Sequence, residues 1–390
     1  VRHIRGPRGT KVRLIVQPAG TKERRIYELT RQKIELTEQH AKGQVIEVKG
    51  ENDKPLKVGV ISLPAFYGDT QALLKGDPNA VSATSDCRKL LEGFKNENAD
   101  AVIVDLRGNG GGLLNEAISL SGLFIDEGPV VQVRDASGVR HLDDDEAGTA
   151  WERPMIVLID HLSASASEIF AGVIRDYGRG LIIGDSSTFG KGTVQSIVPI
   201  NEQLRARDLP NLGALKLTIQ QFYRANGEST QVLGVPPHIH IPSIRDQADF
   251  GEGKMDNALK FDKVAGQAHD QYNRVPPDLV ASLVARSQDR RKADPKFQKQ
   301  EERIKKYTER KTRHAISLNE EKFRAEFVPE DDEKDDADGD AKPGEKRKKA
   351  RIREAWDADD YYNQEVMRIV ADYLTLGSKV LVSAPVRVER

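Results

Sequence analysis

Short apolar runs separated by amphipathic stretches characterise the chain up to about residue 250. The runs have the length and the β-branched content typical of strands: KVGVISLP, ADAVIVDLR, VVQVRDA, RPMIVLID, GRGLIIGD and VQSIVPI. Between them lie the helical patterns TSDCRKLLEGFKNE, LNEAISLSGLF and ASEIFAGVIRDYG. This alternation predicts an α/β fold. The uninterrupted apolar stretches at 101–104 and 155–159 predict a sheet that is covered on both faces.

Different patterns flank this α/β region. Residues 11–34 alternate polar and apolar positions around a Pro-Ala-Gly turn, which predicts a β-hairpin. Beyond about residue 250 the chain is rich in charged helical stretches such as DPKFQKQEERIKKYTERKTRH, which predict a helical C-terminal domain. Within that domain an acidic block followed by a basic block, EDDEKDDADGDAKPGEKRKKARIRE, has too few apolar residues to form a core. We therefore expect a disordered loop over about 328–352, acting as a solvated linker.

Composition mainly excludes classes of function. Lys and Arg number 60 against 61 Asp and Glu, so the net charge of -1 gives no reason to expect a nucleic-acid partner. The one cysteine, Cys87, allows neither an intramolecular disulfide nor a multi-thiolate metal site. No run approaches the roughly 20 apolar residues of a transmembrane helix. The first residues, VRHIRGPRGT, lack Met and any signal-peptide pattern, so we expect a truncated start.

Two glycine-rich loops resemble nucleotide-binding motifs but differ from them in detail. In RGNGGGLL, Gly108 and Gly110 fit a dinucleotide fingerprint, but its third glycine falls on Leu113. In GDSSTFGKGT, five residues separate Gly184 from Gly190 instead of the four in a phosphate-binding loop. Nucleotide binding is therefore disfavoured. Such loops still offer backbone N–H groups that a ligand oxygen can approach, as an oxyanion hole requires.

The segment HLSASASEIF, residues 161–170, places serines on alternate positions ahead of a helical pattern. Ser165 and Glu168 fit a capping box, in which the serine caps the helix and the glutamate reaches back to it. The same position suits a nucleophile, because a helix N-terminus offers free N–H groups and a positive dipole end. The two interpretations are compatible.

A nucleophilic serine needs a base, and the sequence offers histidines and a lysine. His161, His238 and His240 form no recognised serine, acid, histidine order, and the G-x-S-x-G motif is absent. Lys191 in FGKGT lies between glycines in a stretch of little charge, where burial would lower its pKa. A lysine beside glycines is also common in turns, so the residues alone leave both interpretations open.

Two motifs taken together, VIVDLRGNGGG and SASASEIFAGVIRDYGRGLIIGDSSTFGKGTVQ, closely resemble the C-terminal processing (tail-specific) peptidases of Gram-negative bacteria, and the resemblance extends over nearly the whole chain. It implies a periplasmic serine peptidase with a Ser/Lys dyad on a ClpP/crotonase-like mixed sheet with flanking helices, working without a cofactor. It divides the chain into the C-terminal part of a PDZ domain (1–36), a catalytic core (37–245) and a helical domain (246–390). The rest of the PDZ domain and an N-terminal helical domain are expected to be missing.

The resemblance also assigns the reacting residues. It implies Ser165 as nucleophile, Lys191 as general base and Gln195 as the residue that orients the lysine amine. Since an extended strand would carry Gln195 about 13 Å from Lys191, we expect the chain to bend between them, as Gly192 allows. The GDSSTFGKG segment is one residue longer than the usual family loop, which places Lys191 26 positions after Ser165.

Supporting residues follow from the same motifs. The resemblance implies an oxyanion hole formed by the N–H groups of Ala166 and of Gly111 or Gly112. Three further polar residues match family positions and are expected to support the site, with an ordinary salt bridge or helix cap as the alternative: Arg107, Glu168 and Asp176.

The resemblance further implies protein substrates with apolar C-terminal tails, cell-envelope enzymes among them, and a tetratricopeptide-repeat lipoprotein as adaptor. Three alternatives stay open: a noncatalytic binding module on the same fold, a fragment that keeps the catalytic residues but is idle or unregulated without a complete PDZ domain, and a serine esterase. The presence of both Ser165 and Lys191 argues against the binding module, and the missing nucleophile motif and histidine argue against the esterase.

Overall fold

The computed structural model describes residues 3–19, 21–32, 40–50, 54–70, 72, 75, 77, 80–204, 212–313, 315–327, 356–378 and 385–387. The strands of this part are β1 Lys11–Val16, β2 Arg25–Thr30, β3 Lys42–Lys49, β4 Pro55–Ser62, β5 Ala101–Asp105, β6 Gly128–Asp135, β7 Gly138–Asp144, β8 Met155–Ile159, β9 Leu181–Gly184, β10 Thr193–Pro199, β11 Ala214–Tyr223 and β12 Ile239–His240. The α-helices are α1 Ala83–Asn96, α2 Leu114–Ser121, α3 Ala166–Asp176, α4 Ile200–Gln203, α5 Pro277–Ala293, α6 Pro295–Thr312, α7 Glu320–Phe327 and α8 Tyr361–Leu376, and two 3₁₀ helices are Arg245–Gln247 and Glu252–Lys254.

The chain forms two compact units, of which the smaller comprises Val1–Glu38 and Glu309–Glu354. In this unit β1 and β2 pair antiparallel from Lys11 opposite Thr30 to Val16 opposite Arg25. The predicted hairpin is thereby confirmed for its described residues. The expected disordered loop over about 328–352 lies outside the residues that the structure describes.

The larger unit, Gln39–Thr308 and Ala355–Arg390, contains the predicted α/β core. Its main sheet has six strands in the order β12-β9-β8-β5-β4-β3, all neighbours being parallel except the antiparallel pair β3 and β4. Alternate residues of β5 point to opposite faces: Val102 and Val104 join one buried cluster, and Ala101 and Ile103 join the other. The prediction of a sheet covered on both faces is confirmed, and this explains why the strand is apolar throughout.

Helices cover both faces of the main sheet. Residues of α1, α2 and α3, such as Leu91, Leu120 and Phe170, pack on one face. The other face is covered by α5 and α8, through residues such as Leu283 and Ile369. The helical C-terminal region therefore completes the core of this unit. No helix in the described part of the chain combines the length and the apolar character needed to span a bilayer.

Two of the predicted strands lie outside the main sheet. VVQVRDA and VQSIVPI, in β6 and β10, belong to a separate four-stranded antiparallel sheet in the order β10-β11-β6-β7. β7 and β11 were not predicted, because their alternating polar positions form no continuous apolar run. β7 is mostly exposed, and β11 is exposed over its first six residues. This second sheet carries Gln195 and Lys216.

Candidate active site

Three loops meet at one edge of the main sheet. They follow the neighbouring parallel strands β5, β8 and β9, and they contain the glycine run, the serine segment and the lysine, respectively. In open α/β sheets, ligands bind outside the carboxyl ends of the strands, where such loops come together. The fold thus brings the two family-like motifs, which are far apart in sequence, to a common edge.

The serine segment is anchored to the glycine loop by the two serines that flank Ser165. Ser163 and Ser167 are fully buried, and their hydroxyls donate to the carbonyl oxygens of Leu106 at 2.8 Å and Asn109 at 2.9 Å. The N–H of Ala164 also donates to the Asn109 carbonyl, at 3.0 Å. Structural hydrogen bonds therefore occupy the outer serines, and the half-buried middle serine remains as the candidate nucleophile.

Ser165 lies in a sharp turn immediately before α3. Its backbone has φ +57° and ψ -111°, a combination that L-residues rarely adopt. Strained conformations of this kind cluster at active sites, and the nucleophile of α/β-hydrolases lies in a comparable strand-to-helix turn. The turn thus adds a geometric reason to interpret Ser165 as more than a helix cap.

Glu168 connects the serine turn to the loop that contains Lys191. Its fully buried carboxylate accepts four hydrogen bonds: Oε2 from the N–H of Ser165 at 2.7 Å and of Lys191 at 2.9 Å, and Oε1 from the hydroxyl of Thr188 at 2.6 Å and the N–H of Gly190 at 2.7 Å. The bond to Ser165 is the glutamate half of the predicted capping box. Burial raises the pKa of the Glu168 carboxyl to about 7, although these hydrogen bonds oppose the shift.

The Lys191 amine is half-buried and lies beside Gln195. Lys191 Nζ donates to Gln195 Oε1 at 3.4 Å, and none of the hydrogen bonds among the described residues joins it to Ser165. The register of β10 against β11 shifts between Val194 and Gln195. Because such a bulge re-aims a side chain, it supplies the bend that the sequence analysis required between Lys191 and Gln195.

Four influences act on the Lys191 amine. Burial lowers its pKa, and the positive charge of Lys216 on β11 lowers it further. The carboxylates of Glu252 and Glu168 act in the opposite direction. The net effect lowers the pKa, so the unprotonated amine, the form that can act as a base, forms more readily here than in water.

The candidate oxyanion donors lie around Ser165. A Cβ placed on Gly111 would lie 2.9 Å from the Ser165 Cβ and 3.1 Å from the Ala166 nitrogen, so this part of the glycine loop abuts the serine. The Gly111 N–H, however, donates to Asn109 Oδ1 at 2.8 Å. Neither the Ala166 N–H nor the Gly112 N–H donates to another residue in the described part of the chain. The N–H groups of Ala166 and Gly112 are therefore the candidate donors that remain available.

Arg107 lies at the start of the glycine loop, directly after β5 and Leu106. Its guanidinium donates to the Asp105 carboxylate at 2.6 Å and to Asn363 Oδ1 at 3.0 Å, and it stacks on the rings of Trp356 and Tyr362. These contacts tie the glycine loop to α8, the final helix of the described chain. Arg107 thus forms an ordinary structural salt bridge, which was the expected alternative to a supporting role in the site.

Asp176, at the end of α3, pairs with the Arg224 guanidinium through both carboxylate oxygens. Its contacts hold α3 against the segment after β11, away from the serine turn. His161 and His240 both contact the Asp246 carboxylate, and neither hydrogen-bonds to Ser165. Among the described residues, no cluster of three or more His, Cys, Asp or Glu side chains is arranged to hold a metal ion.

Asn109 is a residue of the site that was not predicted from the sequence. Its fully buried side chain accepts from the Gly111 N–H and donates to the Leu63 carbonyl at 2.8 Å, and its own carbonyl receives the Ser167 hydroxyl. The available signal was its position as the single non-glycine residue within GNGGG. A polar residue in a glycine run indicates a side chain that organises the loop.

Two families match consecutive parts of the chain: Peptidase family S41 matches residues 57–241, and the C-terminal domain of tail specific protease matches residues 245–375. A solved structure titled photosystem II D1 C-terminal processing protease is 22% identical, with a TM-score of 0.43 over 60% of this chain and 56% of that one.

The curated relatives agree with these matches. The tail-specific protease of Haemophilus influenzae is 40% identical over 97% of this chain and 52% of its own length. The carboxy-terminal-processing protease of Bartonella bacilliformis is 33% identical over 62% of this chain and 49% of its own length. The chain thus spans about half the length of these relatives. It belongs to peptidase family S41, the serine peptidase family of the tail-specific and carboxy-terminal-processing proteases.

Proposed function

We propose that the chain carries the catalytic machinery of a periplasmic serine endopeptidase that recognises apolar C-terminal tails and cleaves proteins with a dyad of Ser165 and Lys191. The observation that carries this proposal is the position of Glu168. A single oxygen of its carboxylate, Oε2, accepts the backbone N–H groups of both Ser165 and Lys191. A shared buried acceptor fixes the two backbones next to each other. The lowered pKa of the lysine then supplies a base at that position.

In the proposed reaction the neutral Lys191 amine accepts the Ser165 hydroxyl proton while Oγ bonds to the scissile carbonyl carbon. Gln195 Oε1 orients the amine. The tetrahedral oxyanion receives hydrogen bonds from the N–H groups of Ala166 and Gly112, the latter in preference to Gly111 because the Gly111 N–H is already used. The lysine ammonium then protonates the leaving nitrogen as the C–N bond breaks. Water hydrolyses the acyl-enzyme in a second cycle of the same proton transfers, which restores the serine hydroxyl.

A second candidate is a catalytically idle or unregulated fragment. It is favoured by the hydrogen bond of Lys191 Nζ to Gln195 Oε1, since the amine has to leave or share this partner to reach the serine hydroxyl. In that case a region outside this chain would supply the signal that turns the amine toward Ser165.

The proposal also includes a division of the chain into domains, of which the first is present only in part. We assign 1–36 to the C-terminal part of a PDZ domain, 37–245 to a ClpP/crotonase-like catalytic core and 246–390 to a helical C-terminal domain. The antiparallel hairpin of β1 and β2 and the family match at 245–375 support this division. Cell-envelope enzymes as substrates and a tetratricopeptide-repeat lipoprotein as adaptor belong to the same proposal and rest on the resemblance to Gram-negative family members.

Cleavage of an unfolded protein with an apolar C-terminal tail tests the mechanism, with Ser165→Ala and Lys191→Ala as the decisive variants. Loss of cleavage in both variants is expected. Because burial lowers the lysine pKa and only the neutral amine is a base, activity rises as the pH passes upward through that lowered pKa. Retained cleavage in Lys191→Ala, or a flat profile from mildly acid to alkaline pH, would exclude the lysine as base. An inactive chain beside an active longer form would favour the idle fragment.

A further inference from the structure

Every backbone N–H and carbonyl group of residues 190–192, hereafter the lysine loop, forms a hydrogen bond. Glu168 accepts the N–H groups of Gly190 and Lys191, and the Gly192 carbonyl accepts the N–H of Phe222 at 2.9 Å. The other three groups bond to the segment 230–232: the Gly190 carbonyl to the Val232 N–H at 2.7 Å, the Lys191 carbonyl to the Thr230 hydroxyl at 2.8 Å, and the Gly192 N–H to Gln231 Oε1 at 2.9 Å. The lysine therefore moves only through its side chain unless one of these partners moves.

Segment 230–232 is itself under constraint. Val232 has φ +68°, which is a strong outlier for a β-branched residue. Strain of this kind persists only where surrounding contacts enforce it, and it is common at active sites. The Val232 N–H is held by the Gly190 carbonyl, and the neighbouring Gln231 is fully buried. The strained backbone and the buried amide thus lie directly against the lysine loop.

Gln231 connects the lysine loop to a region beyond the catalytic core. Its Oε1 holds the Gly192 N–H, while its Nε2 donates to Glu252 Oε1 at 3.2 Å and to the Leu259 carbonyl at 3.0 Å. Glu252 makes a second contact, because its N–H donates to the Phe189 carbonyl at 3.0 Å. Glu252 and Leu259 lie within 245–375, the part that matches the C-terminal domain of tail-specific proteases.

We propose that Gln231 is a positioning residue for Lys191 and that, through Gln231, the segment 252–259 of the C-terminal region holds the general base in register with Ser165. This inference rests on the proposed dyad, since it concerns the residue assigned there as the base. Displacing a reacting group by about 1 Å can cost 100-fold in rate, so a buried amide that fixes the backbone beside the lysine has a large effect without touching substrate.

The charges around the lysine provide a readout that a purely structural role would not change. The amine faces Glu168 on α3, Lys216 on β11 and Glu252 on the second 3₁₀ helix. Burial and Lys216 lower its pKa, whereas the two carboxylates raise it. A change of charge at position 231 or 252 must therefore shift the pH profile in a direction fixed by its sign.

The first test is Gln231→Met, which keeps the size of the side chain and removes its hydrogen bonds. We expect kcat to fall by about 10- to 100-fold while KM stays within about twofold, because the lysine and not the substrate is displaced. Hydrogen exchange measured by mass spectrometry on peptides covering 190–192 should become faster, since the Gly192 N–H loses its acceptor. Unchanged kcat together with unchanged exchange would overturn the proposal.

The second test exchanges the two partners. In Gln231→Glu the new carboxylate still accepts the Gly192 N–H but faces Glu252, so kcat falls and the activity profile moves to higher pH. Glu252→Gln removes a carboxylate and moves the profile to lower pH. In the double variant the amide at 252 can donate to the carboxylate at 231, so most of kcat and the original profile should return. Lys254→Gln, an exposed charge change on the same 3₁₀ helix, is the matched control and should leave the profile unmoved.

The outcomes separate this inference from the proposed function. Cleavage that survives Lys191→Ala overturns the dyad itself. Cleavage that is lost in Lys191→Ala but unaffected in Gln231→Met and Gln231→Glu overturns only the positioning role. If Glu252→Gln lowers kcat without moving the pH profile, the contact is structural and the proposal fails. The exchange measurement needs no cleavage, so it decides the contact to Gly192 even for an idle chain.

Discussion

Glu168→Gln tests the central contact of the site with the smallest change in shape. The substitution replaces a fully buried carboxylate by an amide and removes one of the two acceptor oxygens. If the amide nitrogen takes the Oε1 position, the Thr188 hydroxyl can still accept from it, but the Gly190 N–H loses its partner. An orphaned buried donor costs about 1–3 kcal/mol. The variant should therefore be less stable than the wild type at low pH by about that amount.

The effect of pH on this difference follows from the pKa. Burial raises the Glu168 pKa from 4.5 to about 7, so the folded state holds a proton that the unfolded state releases. The stability that this proton confers is fully present below about pH 4.5 and is lost as the pH rises to about 7. The interval corresponds to about 3 kcal/mol. Glutamine cannot ionise, so the advantage of the wild type should shrink by about 3 kcal/mol between pH 4.5 and pH 8.

Urea titrations at the two pH values measure this directly, with the fluorescence of the buried Trp151 and Trp356 as the signal. Glu92→Gln, the same change at an exposed position of α1, is the control and should show no such dependence. A difference between wild type and Glu168→Gln that is equal at both pH values would refute the assignment of a buried, proton-binding carboxyl. Cleavage at pH 8 should also fall, by about 10- to 100-fold, because the Gly190 N–H next to Lys191 loses its acceptor and the backbone beside the lysine is less firmly held.

Three further outcomes follow from buried polar groups and from close backbone packing. Asp144→Asn should raise the melting temperature by a few degrees at pH 8 and little at pH 4. Burial raises the Asp144 pKa to about 6, and its Oδ2 has no hydrogen-bond partner among the residues that the structure describes; an equal gain at both pH values contradicts this. Gly112→Ala should destabilise the folded chain by more than about 2 kcal/mol, since its Cβ would lie 2.1 Å from the Phe66 carbonyl oxygen. Gly110→Ala, with open space around the new Cβ, is the control and should cost less than about 1 kcal/mol. Equal urea midpoints for the two variants would refute the packing argument. Asn109→Ala should lower the free energy of unfolding, measured in urea, by about 2–4 kcal/mol and should also lower kcat, because it leaves two buried backbone groups unpaired. An unchanged kcat would show that the glycine loop does not need this side chain.

The main sheet could be predicted because its strands bury both faces. A strand such as Ala101–Asp105 has no polar side to present to water, so its apolar run is visible in the sequence. The four-stranded sheet was not foreseen as a separate unit, because β11 is mostly exposed and its pairing with β6 joins residues about 90 positions apart. Local patterns report burial, and pairing between distant segments leaves no comparable local trace.

The candidate site divides in the same way. The spacing of Ser165 and Glu168 is local, since both belong to one helix start, and it could be predicted as a capping box. The use of the Gly111 N–H by Asn109 and the contact of Gln231 with Gly192 depend on how the loops meet in space. A sequence motif specifies which residues are present. Only the fold decides which of their backbone groups remain available.

The relation between Ser165 and Lys191 is set chiefly by backbone contacts. The two residues lie on loops that follow different strands, so their spacing in sequence does not define their distance. Glu168 fixes the two backbones relative to each other, because its Oε2 accepts both N–H groups, at 2.7 and 2.9 Å. The remaining freedom is in the lysine side chain, which in this structure donates to Gln195. If the proposed dyad is correct, we expect a switch between an idle and an active chain to involve a rotamer change of this lysine on a fixed backbone, a motion that is fast in partly exposed side chains.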